Sequence, residues 1–116
     1  MPSPATARIA INTIGATGTL EHHGRSANVT ALVECTAGQT IKIRLTLTQD
    51  EAIGEGTVNG TCTGAVAEYP VRVTAHGKTG FTAGPANACG SAINRDRGQV
   101  VDTKQWCRAN PVQLTG

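Results

Sequence analysis

Between Ile41 and Thr48 the chain alternates without a break. Ile41, Ile43, Leu45 and Leu47 are set against Lys42, Arg44, Thr46 and Thr48. Successive side chains of a strand point to opposite faces, so this pattern predicts a strand with one buried and one wet face. Such alternation is the habit of antiparallel sheets. Residues 28–35 repeat it, with Val29, Ala31, Val33 and Cys35 on one face and Asn28, Thr30 and Glu34 on the other; only Leu32 breaks the period. Residues 69–75 set Tyr69, Val71, Val73 and Ala75 against Pro70, Arg72 and Thr74. A proline there predicts an edge or a bulge, because it has no N–H for a ladder.

Weaker patterns fill the rest. Residues 8–14 alternate loosely and predict a first strand, which Gly15 and Gly18 then end. Residues 52–62 are Gly-rich, and Val58 shares parity with Cys62. Residues 85–93 and 99–106 predict two further strands, and Val112 with Leu114 a short closing one. Turn residues separate these runs at Thr36-Ala37-Gly38, Gln49-Asp50-Glu51 and Thr63-Gly64, while residues 76–83 form a loop around Phe81. No helical stripe interrupts them. Short strands at roughly ten-residue spacing predict an all-β fold, an antiparallel β-sandwich of about seven or eight strands. A closed barrel is the structural alternative. Residues 1–7 read as a flexible leader and 8–116 as a single domain.

Composition narrows the function classes. The chain has 116 residues, one domain's length, and its 39% hydrophobic and 16% charged residues fit a folded protein rather than a disordered one. A net charge of +2 is too small for a protein that works through phosphate contacts, so no nucleic-acid partner is expected. No apolar run reaches the length of a membrane span. Seventeen Thr and 14 Gly against one Trp, one Tyr and one Phe fit wet sheet faces, turns and a small-aliphatic core.

Cys35, Cys62, Cys89 and Cys107 are spaced too widely for a clustered metal site, and an even count predicts two disulfides. Neither a metal nor any other cofactor is expected. The count alone allows three connectivities; parity narrows them. Cys35 and Cys62 both share parity with core positions, which suits a bond between non-neighbouring strands. Cys89 and Cys107 lie symmetrically about Gly98, so a hairpin turning there places them opposite each other. A turn at 94–96 would leave them four residues out of register. Disulfides place the protein in an oxidising, extracellular compartment. The start, Met1-Pro2-Ser3-Pro4, lacks a signal-peptide pattern, so the sequence reads as a mature secreted form with an added methionine.

Taken in order, Cys35-Thr36-Ala37-Gly38, the run ending Leu45-Thr46-Leu47-Thr48-Gln49, Gly54-x-Gly56, Cys62-Thr63-Gly64, the 69–74 strand and 80–86 with Phe81 resemble a known group. They are similar to small secreted immunoglobulin-like domains of unknown function from actinobacteria. The likeness covers about residues 27–90. It implies an exported immunoglobulin-like sandwich with a Cys35–Cys62 disulfide, and it transfers no catalytic residues. Tyr69 stands where the family pattern has a Trp, and residues 94–116 depart from it.

Candidate chemistry is sparse. Ser26 lies three residues from His23, with Glu21 nearby, but there is no G-x-S-x-G, and solvated turn residues are the plainer reading. Asp50 and Glu51 are adjacent, and Asp96 and Asp102 flank the Gly98 turn; such acids are ordinary solvated groups. His22 and His23 chelate poorly together, because neighbours on a strand point apart. Lys42 with Arg44 is a wet strand face; Arg95, Arg97, Lys104 and Arg108 are a candidate binding patch, diluted by Asp96 and Asp102. Asn28-Val29-Thr30 and Asn59-Gly60-Thr61 match the glycosylation pattern, which arises easily by chance in a Thr-rich chain. Trp106 is expected either to pack on the Cys89–Cys107 bond or to anchor an interface. The sum is a secreted, non-enzymatic binding or adaptor module. It would recognise another protein or an extracellular polymer by a sheet edge or loops, alone or as a subunit of an extracellular assembly or toxin particle. The alternative is a protease inhibitor that presents the turn at 95–99.

Overall fold

A computed structural model describes residues 9–116. The leader expected at 1–7, and the start of the domain at Arg8, lie outside the described residues. The strands are β1 (Ile9–Glu21), β2 (Ser26–Cys35), β3 (Thr40–Gln49), β4 (Ala52–Thr61), β5 (Val66–Ala75), β6 (Gly84–Asp96), β7 (Gln99–Cys107) and β8 (Val112–Thr115). One 3-10 turn, His22–Gly24, joins β1 to β2. The all-β expectation holds, and the alternating segments face as read. Val29, Ala31, Val33, Ile41, Ile43, Leu45, Leu47, Val71 and Val73 are all buried.

The sheet departs from two separate layers. Hydrogen bonding runs β3-β4-β5-β2-β1-β8-β6, and β6 returns to β3, so seven strands close a circuit. The expected sandwich thus gives way to the barrel alternative. The cause is β6, thirteen residues long. One edge pairs with β3 from Asn87 to Arg95. The other edge takes β7 from Cys89 to Asp96 and then β8 from Gly84 to Ala86. Arg108 N–H donates to the Ala88 carbonyl, which shows β7 leading on toward β8 along that edge. β8 then lies parallel to β1 and completes the closure. Closure removes the open edges that a sheet would otherwise present. On the far side, β4 joins β5 through two pairs alone, Gly54↔Ala75 and Glu55↔Thr74. The body is long and flattened, 53 × 24 × 18 Å.

β1 does not stop at its glycines. It runs through Gly15 and Gly18, with a register shift between Ile14 and Gly18. Gly18 is there for close approach: a Cβ would sit 2.9 Å from Leu114 Cδ2 and 3.0 Å from the Asn28 carbonyl oxygen. Pro70 pairs opposite Thr30 of β2, on a stretch of β5 that has no ladder on its β4 side. That meets the edge expectation.

Tyr69 and Phe81 are buried. The Tyr69 hydroxyl donates to the Thr61 carbonyl at 3.3 Å, and burial pushes its pKa up. Asn94 is fully buried and its Nδ2 donates to Gln39 Oε1 at 2.7 Å. Both disulfides form as read, Cys35–Cys62 and Cys89–Cys107. The first is buried and links β2 to the end of β4, with β5 between them in the sheet. The second is exposed on the outer face.

The β6–β7 hairpin explains why symmetry about Gly98 was the right guide. Its turn is Arg97-Gly98, both at positive φ (53° and 82°), as a type I′ turn demands. That turn pairs Asp96 with Gln99 and Arg95 with Val100. Continued unchanged, it would set Cys89 against Trp106. A bulge at Val101 shifts the register by one, giving Asn94↔Asp102 and hence Cys89↔Cys107.

Candidate interaction face

The outer face of β3, β6 and β7 is a grid that the pairing fixes. Arg44, Ser91 and Gln105 form one row across the three strands, and Thr46, Cys89 and Cys107 form the next. Lys42, Ile93 and Thr103 form a third. The first two rows line an open groove of about 510 Å³, bordered also by Gly90 and Trp106. Its floor includes the exposed disulfide. A neighbouring hollow is lined by Thr40, Lys42, Asn59, Thr61 and Arg95.

Electrostatically the face is mixed. Arg44 pairs with Glu55 of β4. The guanidinium's hydrogen bond holds the Glu55 carboxyl below its ordinary pKa, against a smaller desolvation effect, with Arg44 and His76 charges assisting. His76 Nε2 lies 4.0 Å from the other Glu55 oxygen. Lys42 and Arg95 have no ion-pair partner among the described residues.

The expected binding residues do not converge. Arg95 lies on the outer face, Arg97 at the turn tip, and Lys104 opposite buried Ala92, on the inner side of β7. Arg108 is spent on backbone: its Nε donates to the Ile14 carbonyl and its Nη1 to the Asn110 carbonyl. Trp106 is partly buried against the core, and its indole covers Gly90. A Cβ on Gly90 would lie 2.9 Å from two ring carbons and 3.0 Å from Leu45 Cδ2. The buried Nε1 of Trp106 has no hydrogen-bond partner among the described residues.

The candidate chemistry stays scattered too. Ser26 is buried and its hydroxyl has no hydrogen-bond partner among the described residues, whereas His22 and His23 are exposed in the 3-10 turn at positive φ. Asp50 and Glu51 occupy an exposed turn. Asp102 is used structurally: its Oδ2 accepts the Ile9 N–H at 2.8 Å. Among the described residues no group of three His, Cys, Asp or Glu could hold a metal ion, and no helix is long and apolar enough to cross a membrane.

Sequence reasoning missed Ser91 and Gln105 as site residues. Both sit at correct strand parity, yet nothing local says that they flank Arg44. That juxtaposition depends on the β3–β6 pairing, across more than forty residues of chain. No family model matches this sequence, and no curated protein matches it either.

Proposed function

We propose that the chain is an exported, disulfide-braced all-β module that binds a protein partner without catalysis. Export is supported by two disulfides, which persist in oxidising compartments. The observation that carries the binding reading is the groove of the outer face. Arg44, Ser91 and Gln105 offer donors and acceptors beside the apolar surface of an exposed disulfide. All of these groups stand on paired strands, and rigid strands hold a recognition surface in place at little entropic cost.

The experiment compares two baits in a pull-down from the producing organism's culture medium. One is the wild-type protein; the other carries Arg44→Glu with Gln105→Ala. A protein held by the first and lost from the second supports the reading. Equal retention, or retention by neither, would overturn it.

A further inference from the structure

We propose that the outer face of β3, β4 and β6 binds a tetrahedral dianion, inorganic phosphate or a phosphate monoester, in the hollow beside Lys42 and Arg95. This hollow, of about 440 Å³, is separate from the groove of the protein-binding reading and does not depend on it. Long-range pairing builds it in two rows. Thr61, Thr40 and Arg95 form one row across β4, β3 and β6, and Asn59, Lys42 and Ile93 form the next. All of these except Ile93 line the hollow, and each of those that do carries a side-chain donor.

Charge marks the place. Lys42 and Arg95 are diagonal neighbours on adjacent strands, within reach of each other's long side chains. Neither has an ion-pair partner among the described residues, and neither row holds an acid. Residues 1–8 contain no Asp or Glu to supply one. Other arginines of the fold are spent. Arg44 pairs with Glu55 and Arg72 with Glu21, while Arg25 and Arg108 donate to backbone carbonyls. Arg97 stands at the exposed turn tip. Arg95 is half-buried and has none of these uses.

Like charges side by side repel. An oxyanion between them turns that repulsion into charge-assisted hydrogen bonds. Arg95 brings a planar fork and Lys42 a point charge. Thr40, Thr61 and Asn59 add neutral donors around them. A carboxylate, with one charge and two oxygens, would satisfy only part of this set; a dianion matches both cations, and its further oxygens reach the hydroxyls and the amide. The open hollow leaves one oxygen toward solvent, where an ester's organic group would extend. Two cations in one hollow hold a single ion and make no track for a nucleic acid.

NMR titration with inorganic phosphate, above its second ionisation, is the test, with sodium chloride at matched ionic strength as control. Signals of Thr40, Lys42, Asn59, Thr61 and Arg95 should shift and saturate. Sulfate should compete for the same signals and acetate should not. Lys42→Gln with Arg95→Gln keeps the polar stems and should weaken binding on the order of tenfold or more. Circular dichroism and a thermal melt check that this variant is folded. Glycerol phosphate separates the two sources: binding as tight as that of inorganic phosphate assigns a monoester, and weaker binding a free ion. Shifts that chloride reproduces, or that never saturate, overturn the proposal. So does equal affinity for acetate, or phosphate binding that the folded double variant retains in full. The variants that test the protein-binding reading, at Arg44 and Gln105, lie outside this hollow, so either reading can fail alone.

Discussion

The two disulfides differ in a way that stability should register. Cys89–Cys107 closes a loop of 18 residues and Cys35–Cys62 one of 27. Loop entropy alone makes them worth about 3.2 and about 3.5 kcal/mol, nearly equal. Their surroundings are not equal. Cys35 and Cys62 are each 2% exposed within the core. Cys89 and Cys107 face solvent. Replacing the outer pair by alanine leaves no cavity, so the loss should stay at about 3 kcal/mol, a fall in Tm of roughly 12 °C for a chain of this size. Replacing the inner pair adds a cavity where two sulfurs were packed, bringing the loss to about 5–6 kcal/mol. That approaches the whole stability of a typical small domain. Thermal and guanidinium melts of Cys89→Ala/Cys107→Ala and Cys35→Ala/Cys62→Ala measure both losses. Timed reduction with alkylation and mass spectrometry gives the order of cleavage, and the outer bond should open first. Equal losses for the two double variants would refute the cavity argument. Earlier cleavage of Cys35–Cys62 would refute the exposure argument.

Three further expectations follow from single sites. Arg97 occupies the left-handed region at φ 53° in the type I′ turn, so Arg97→Asn should stabilise the fold by about 0.5–1 kcal/mol, read as a raised Tm. Asn94→Ala leaves the buried Gln39 Oε1 without its donor, and the loss, with the cavity, should be about 2–3 kcal/mol in a denaturant melt. Glu55 has a lowered pKa in the folded state, chiefly through its hydrogen bond to Arg44. Its contribution is therefore present above the unfolded carboxylate pKa and is lost as pH falls through the lower folded one. An NMR titration should find the Glu55 midpoint below that of an ordinary glutamate, and Arg44→Ala should move it back up.

Strand faces were legible because parity is local. A residue's side follows from its neighbours, whichever strand it pairs with, so Ile41 to Thr48 could be assigned without knowing where β3 lies. The Cys35–Cys62 bond followed from the same logic; Cys89–Cys107 followed from its symmetry about Gly98, which was right for a compound reason. The turn is Arg97-Gly98 and a bulge at Val101 supplies the missing residue. Closure was not legible. It depends on β6 sharing one edge between β7 and β8, and on β8, four residues long, choosing a parallel partner 96 residues away. Gly18 misled because glycine signals a break in sequence, while here it makes room for Leu114. The groove was half legible. Arg44 stood on a recognised wet face, but Ser91 and Gln105 join it through long-range register. The basic patch failed for the opposite reason: Arg95, Lys104 and Arg108 are close in sequence, yet strand alternation and the length of β7 send them to different places.

β7 is the strand that the circuit can spare. The seven-strand closure runs from β3 round to β6 without it. Nevertheless it carries Trp106 over Gly90, half of the exposed disulfide and Gln105 of the groove. A strand outside the closure would ordinarily be the first to fray, because it has a ladder on one side only. Three devices oppose that here. The type I′ turn fixes its start, the Cys89–Cys107 bond fixes its end, and two side-chain bonds hold it to β1. Hydrogen exchange should therefore find the outward amides of Thr103 and Gln105 less protected than the inward amides of Lys104 and Trp106, which face β6. Uniform protection along β7 would mean that its outward amides are as firmly bonded as its inward ones, and would refute the one-sided ladder.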